Sequence, residues 1–516
     1  MLRLFSNIPL PAHVLLLLLI IALRLPSLIG GYYLHDESLY MVCAERLTHG
    51  GSIYVDAWFA GPPLIVGIYY SFICIFGSSA LFAIRLFACV YIYLSAVYFN
   101  GMLMEYKPFK RYPLLPSFLF VFLVSTPWYA QEFGPTLFAI FPVLVSFHAI
   151  IKLDEGRNHS YGLLFNSGIL MALCILASYK AVFILGGIVL TYLILKSPRL
   201  DHFFSLIGGV LVVLLGFLLF LFWGGMFEEF WDIGALYYLD RIGFRENEMY
   251  VYELRRTLMT GLMSWGIFVI LAAFTYMHYR VRFYSYVVKI RSLESTMNMW
   301  LIVVSIALIF KLRRLDTQDF ILLIPPIVFY ANKAFDFQWV HKLRIAIMLI
   351  SLAMPIYMYM SYWGLAFPHS MSLARPLAED TYLHGGNWQD FDLGEPIRRY
   401  FYDAEINHGI WIMGDKPELY LTLENRCANK YTDFRIVYNK FSVLPHFNDE
   451  KSVSKAERES EIFRQFLLTP PDYIIDLHKK FPYLQHRFPG LLERYVGEEV
   501  GDYMVYKAET LRSPAF

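Results

Sequence analysis

Along the chain, long apolar runs alternate with short polar connectors, and most of the runs are close to the roughly 20 residues that a helix needs to cross a bilayer. They lie at 11–30, 61–77, 80–104, 112–130, 135–151, 161–178, 181–196, 203–223, 257–279, 297–310, 318–331 and 342–363. Each predicts a membrane helix. The first run, "PLPAHVLLLLLIIALRLPSLIG", precedes many more spans and no small-residue cleavage site follows it, so it reads as a retained helix rather than a signal peptide.

Three polar stretches interrupt this pattern: 31–60, 224–256 and 364–516. In the first, Leu39, Met41, Val42 and Leu47 followed by Gly50 and Gly51 predict a short helix along the membrane interface. In the last, "GIWIMG" (409–414), "PDYIIDL" (471–477) and "DYMVYKA" (502–508) read as strands, and "KAERESEIFRQFLL" (455–468) reads as a helix. The expected fold is a polytopic α-helical membrane protein over 1–363 with a small C-terminal α/β domain over 364–516.

Composition agrees with a bilayer solvent. The chain is 57% hydrophobic and 17% charged, against about 45–50% and about 25% in soluble domains. A net charge of +1 argues against a nucleic-acid partner. No C-x-x-C pair, G-x-G-x-x-G or Walker motif occurs, which disfavours structural zinc and nucleotide binding.

Basic connectors at 107–111, 152–157, 196–199 and 279–291 should be cytoplasmic. Residues 131–135, 178–180, 224–256 and the C-terminal region then fall outside. "KLRR" (311–314) lands outside as well, against the rule. A parity conflict remains, because 61–77 and 80–104 cannot both be full crossings.

Acids sit where the chain leaves the bilayer. Asp36 and Glu37 follow the first span, and Glu132 lies in "YAQEFGPTLFAIFP" at the outer end of a later one. Such acids are costly there unless used or paired, although either member of the pair also suits the start of a helix, where free N–H groups meet the positive dipole end.

The run "DESLYMVCAERLTHGGSIYVDAWFAGPPL" resembles the first outer loop of the GT-C superfamily of polyprenyl-phosphate-dependent glycosyltransferases. The branch it is most similar to is that of the protein O-mannosyltransferases and lipid A aminoarabinose transferases. The matching residues are Asp36, Glu37, Tyr40, Gly51, Tyr54, Asp56, Pro62, Pro63, Arg85, Leu86 and Glu132. "GIWIMGDKPELYLTLENRCANKY" (409–431) is similar to the outer domain of bacterial members, with their G-x-x-P-x-x-Y run.

The resemblance implies a GT-C membrane domain of about 11–13 helices, in a bacterial inner membrane with its active site on the periplasmic side. It implies a polyprenyl-phosphate-linked sugar as donor, a glycan, lipid or protein as acceptor, and membrane lipids as surroundings. Asp36 is then the general base, Glu37 orients the acceptor or helps hold a cation, and Glu132 is the second acid. Tyr40, Tyr54, Asp56 and Arg85 are substrate-binding candidates. Asp36 and Glu132 are candidate ligands of Mg²⁺ or Mn²⁺, which favour oxygen donors; some superfamily members use a metal and others do not.

One departure stands out. Many members carry Lys just before the proline pair, where this chain has Gly61. The donor phosphate then falls to Arg313 or Arg314 of the outward basic loop, or to Lys180. A transporter or flippase and a non-catalytic membrane partner are the competing classes. Transporters tend to show internal repeats, which are not detected here.

Overall fold

The structure, a computed structural model, describes residues 9–29, 35–57, 59, 61–109, 112–126, 131–154, 161–179, 181–195, 200–237, 259, 265–277, 288–310, 317–336, 341–366, 397, 400–401, 409–413, 419–420, 470–477, 494–501 and 503–509. Each apolar run contains a helix: α1 Leu10–Ile29, α3 Leu64–Phe76, α4 Ala80–Tyr106, α5 Leu115–Ser125, α6 Pro135–Asp154, α7 Tyr161–Ala177, α8 Ala181–Leu195 and α9 Leu200–Trp223. The series continues with α10 Trp265–Met277, α11 Val288–Phe310, α12 Ile324–Asp336 and α13 His341–Ala366. The expected short helix after the first span is α2, His35–Thr48. Among the described residues, Leu10–Ile29, the Leu64–Tyr106 run, Pro135–Leu153 and Asp201–Trp223 are long and apolar enough to cross a membrane.

The chain divides into two compact units that interleave along the sequence. One comprises Met1–Gly31, Phe82–Phe220 and Asn247–Tyr382; the other comprises Tyr32–Leu81, Leu221–Glu246 and Leu383–Phe516.

In the first unit α5 packs on α1 and α12, α6 on α7, and α8 on α11. Phe147 stacks on Trp300 at 4.5 Å, and the Trp300 indole donates to the Leu322 carbonyl at 2.9 Å. Arg85, near the start of α4, donates from Nη1 to the Ser27 carbonyl near the end of α1 at 2.5 Å. The exit of α1 and the entry of α4 therefore share one end of the bundle. About 30 Å further along α4 by helical rise, Glu105 pairs with Lys152 at 2.8 Å and lies 3.6 Å from His148. Glu294 and Lys333 form another ion pair, linking α11 and α12.

In the second unit a four-stranded sheet runs in the order β1-β2-β4-β3, with β1 Ile410–Met413, β2 Tyr473–Asp476, β3 Tyr495–Val500 and β4 Tyr503–Ala508. β1 and β2 are parallel, while β2/β4 and β3/β4 are antiparallel. All positions of β1 and β2 are buried, which explains why they read as continuous apolar runs. β3 was not expected: "YVGEEV" has four consecutive exposed positions and no alternation to read. The helix expected at 455–468 lies outside the described residues.

Val42 of α2 joins Ile397, Phe401, Ile412, Tyr473 and Val505 in the core of this unit. The Ile412 N–H donates to the Tyr420 hydroxyl at 2.8 Å. Among the described strands β1 lies at an edge of the sheet, and the Tyr that ends the G-x-x-P-x-x-Y run satisfies one of its backbone N–H groups. Tyr400 donates to Glu498 at 2.9 Å, and partial burial, helped by that carboxylate, pushes its phenol up to about 12. It stays a donor at neutral pH.

Candidate active site

The acidic pair forms the first turn of α2, with Arg46 in the last turn, both signs placed as the helix dipole favours. Asp36 is half-buried and Glu37 is fully buried. Tyr40, one turn on, packs edge-on against Phe59 at 5.9 Å and against Tyr69 of α3 at 5.5 Å. α2 and α3 thus grip each other through aromatic rings directly below the acids.

The connector after α2 is held by its own motif residues. Gly50 takes φ +85 and ends the helix. Asp56 accepts from the Ser52 N–H at 2.7 Å. Tyr54 adopts φ 72, a region costly for a residue with a Cβ. Three contacts hold it there. Its N–H donates to the Ala57 carbonyl at 2.8 Å, its hydroxyl donates to the Gly61 carbonyl at 2.8 Å, and its ring meets Phe230 at 5.4 Å. A Cβ on Gly234 would come within 2.8 Å of the Tyr54 ring, so only glycine fits there. Phe230 and Gly234 belong to a π-helical stretch, Phe230–Tyr237, a geometry often found near functional sites. Neither carried a recognisable signal in the sequence.

In the first unit, Arg85 is buried on the Ser27 carbonyl. Glu132 is 4% exposed and accepts a hydrogen bond from Gln318 Nε2. Arg24, fully buried, donates to the Gln131 carbonyl. The Gln131 amide in turn donates to the Ser125 carbonyl and to the Leu23 carbonyl. Arg24 and Gln131 were missed from sequence, although a lone Arg inside a leucine-rich span was signal enough.

Asp36, Glu37, Tyr40, Tyr54 and Asp56 belong to the second unit, while Arg85 and Glu132 belong to the first. Lys180, Arg313 and Arg314 lie outside the described residues. Among the described residues no group of three or more His, Cys, Asp and Glu side chains is placed to hold a metal ion.

No protein-family model matches the chain, and no curated protein matches it. Among solved structures, ArnT from Cupriavidus metallidurans in the apo state is similar at TM-score 0.56 and 14% identity, over 97% of this chain and 99% of that one. That likeness is one of fold: the chain has the GT-C membrane fold. An Archaeoglobus fulgidus oligosaccharyltransferase tethered to an acceptor peptide gives TM-score 0.48 at 14% identity, over 95% of this chain and 72% of that one. AglB from Archaeoglobus fulgidus with an inhibitory peptide and a dolichol-phosphate gives 0.47 at 12% identity, over 98% and 74%.

Proposed function

We propose that the protein is a membrane glycosyltransferase that moves a sugar from a polyprenyl phosphate or diphosphate to an acceptor on the extracytoplasmic face. The observation that carries this reading is the acidic pair opening α2, set above a Tyr54-locked loop in a chain with the GT-C fold. In a bacterium the membrane would be the inner one, with the acceptor a periplasmic glycan, lipid or protein.

Asp36 is the general base. A hydroxyl is a poor nucleophile at neutral pH, and a carboxylate within hydrogen-bond reach takes its proton as the new bond forms. The acceptor oxygen bonds to the anomeric carbon while the bond from that carbon to the phosphate oxygen breaks, with inversion. The proton goes to Asp36 and the phosphate leaves with its bonding electrons. Glu37, buried one residue on, orients the acceptor. The developing phosphate charge needs cationic donors, which we assign to Arg313 and Arg314, with Lys180 as the next candidate. Tyr54 and Asp56 serve by shaping the loop, and Arg85 by fixing the start of α4 to the end of α1.

The test is transfer by the purified, lipid-reconstituted protein from sugar-loaded polyprenyl phosphate. Asp36→Asn should cost about 10²–10⁴-fold in rate with thermal stability nearly unchanged. An Asp36→Asn protein that keeps most of its activity refutes the base assignment, and a wild type that transfers nothing refutes the reading itself.

A further inference from the structure

Gln318 stands outside every motif above, yet its amide meets one of the acids. Its Nε2 donates to Glu132 Oε1. Both partners sit on short segments that adjoin helices. Glu132 sits in the turn just before α6, and Gln318 opens a 3-10 segment, Thr317–Leu323, that leads into α12. That segment packs on α6 and α11 and is pinned by the Trp300 indole on the Leu322 carbonyl at 2.9 Å. Gly134 adjoins the pair: a Cβ there would lie 3.5 Å from Gln318 Oε1 and 3.6 Å from Glu132 Oε1, in ordinary contact with both.

The chemistry of the donor matters. An amide binds one carboxylate oxygen without cancelling the charge, whereas Lys or Arg would form an ion pair and neutralise it. A glutamine at this place thus fixes the direction of a carboxylate oxygen through one hydrogen bond. Gln318 also follows Arg314 closely in sequence.

We infer that Gln318 is a positioning residue for the transfer reaction, holding Oε1 of Glu132 and thereby setting where that carboxylate stands relative to the reacting groups. This inference rests on the glycosyltransferase reading and on the part of Glu132 in it. Misplacing a catalytic group by about 1 Å can cost on the order of 10²-fold. Gln318→Ala should therefore lower kcat by about tenfold to a hundredfold, with smaller changes in donor and acceptor KM.

The decisive variant is the exchange Glu132→Gln with Gln318→Glu, assayed in lipid with sugar-loaded polyprenyl phosphate as donor. It keeps an amide–carboxylate bond but moves the charge to the other partner. The expected result is a thermal midpoint restored relative to Glu132→Gln alone, while transfer stays low. Transfer restored by the exchange would make the pair a simple clasp and overturn the inference, as would a fully active Gln318→Ala protein. If Gln318→Ala does not fold, Gln318→Asn, shorter by one methylene, is judged by the same criterion. An active wild type beside an unaffected Gln318 variant sinks this inference alone, whereas an inactive wild type sinks the glycosyltransferase reading with it.

Discussion

Pro26 lies inside α1 and has no N–H, so the Ala22 carbonyl one turn earlier loses its helical partner. The Tyr359 hydroxyl of α13 supplies one, donating to Ala22 O at 2.5 Å. In lipid no water can replace such a bond. Tyr359→Phe should therefore lower the thermal midpoint of the detergent-extracted protein, because the Ala22 carbonyl loses this partner. Pro26→Ala returns the helical bond, and in that background the same Tyr359→Phe change should cost much less. Additive effects in the double-mutant cycle, read from thermal midpoints, would show that the two residues are not coupled. The same logic governs Gln131, whose single amide reaches carbonyls in both α1 and α5.

At the scale of elements, α7 and α9 cross at a pair of glycines. A Cβ on Gly168 would lie 2.1 Å from the Leu206 carbonyl oxygen, and one on Gly209 would lie 2.2 Å from that of Phe165. Neither neighbour is a flexible side-chain tip; both are helix backbone, so close approach of small residues is what joins these helices. Gly168→Ala should separate them and lower the yield of monodisperse protein on size exclusion. Gly186→Ala on α8, with nothing within 4 Å, is the control and should gain a little, since Ala is favoured over Gly in a helix by about 1 kcal/mol. Equal behaviour of the two variants would contradict the crossing. α2 shows a second relation between elements. Its first turn carries Asp36 and Glu37, and Val42 further along it lies in the core that contains the β-strands. The same helix thus carries the acidic pair in its first turn and contributes Val42 to that core.

At the scale of the molecule, α1 leaves and α4 enters the bundle at the same end. The Glu105 cluster marks the other end of α4. If that other end is cytoplasmic, as the basic connectors predict, a cysteine at exposed Lys107 should react with an impermeant reagent from the cytoplasmic side only. Cysteines at exposed His49 and Val496 should react from the opposite side, all in a background with the native cysteines replaced by serine. Labelling of Val496→Cys from the cytoplasmic face would overturn the orientation and the outward site together.

The positions of the membrane helices were legible in the residue order, because length and apolarity are local properties that the bilayer reads directly. β1, β2 and β4 were legible for the same reason: buried strands are unbroken apolar runs, whereas β3, exposed over four positions, offered no pattern. The acids and their loop were legible as a motif, from Asp36 to Pro63. What each residue does there was decided only by folding. Tyr54 holds the loop closed because Gly61 and Phe230 come to it. Glu132 acquires a fixed direction because a turn distant in sequence brings Gln318 to it. Hydrogen bonds and ring contacts between residues far apart in the chain have no local signature, so tertiary structure alone selects them.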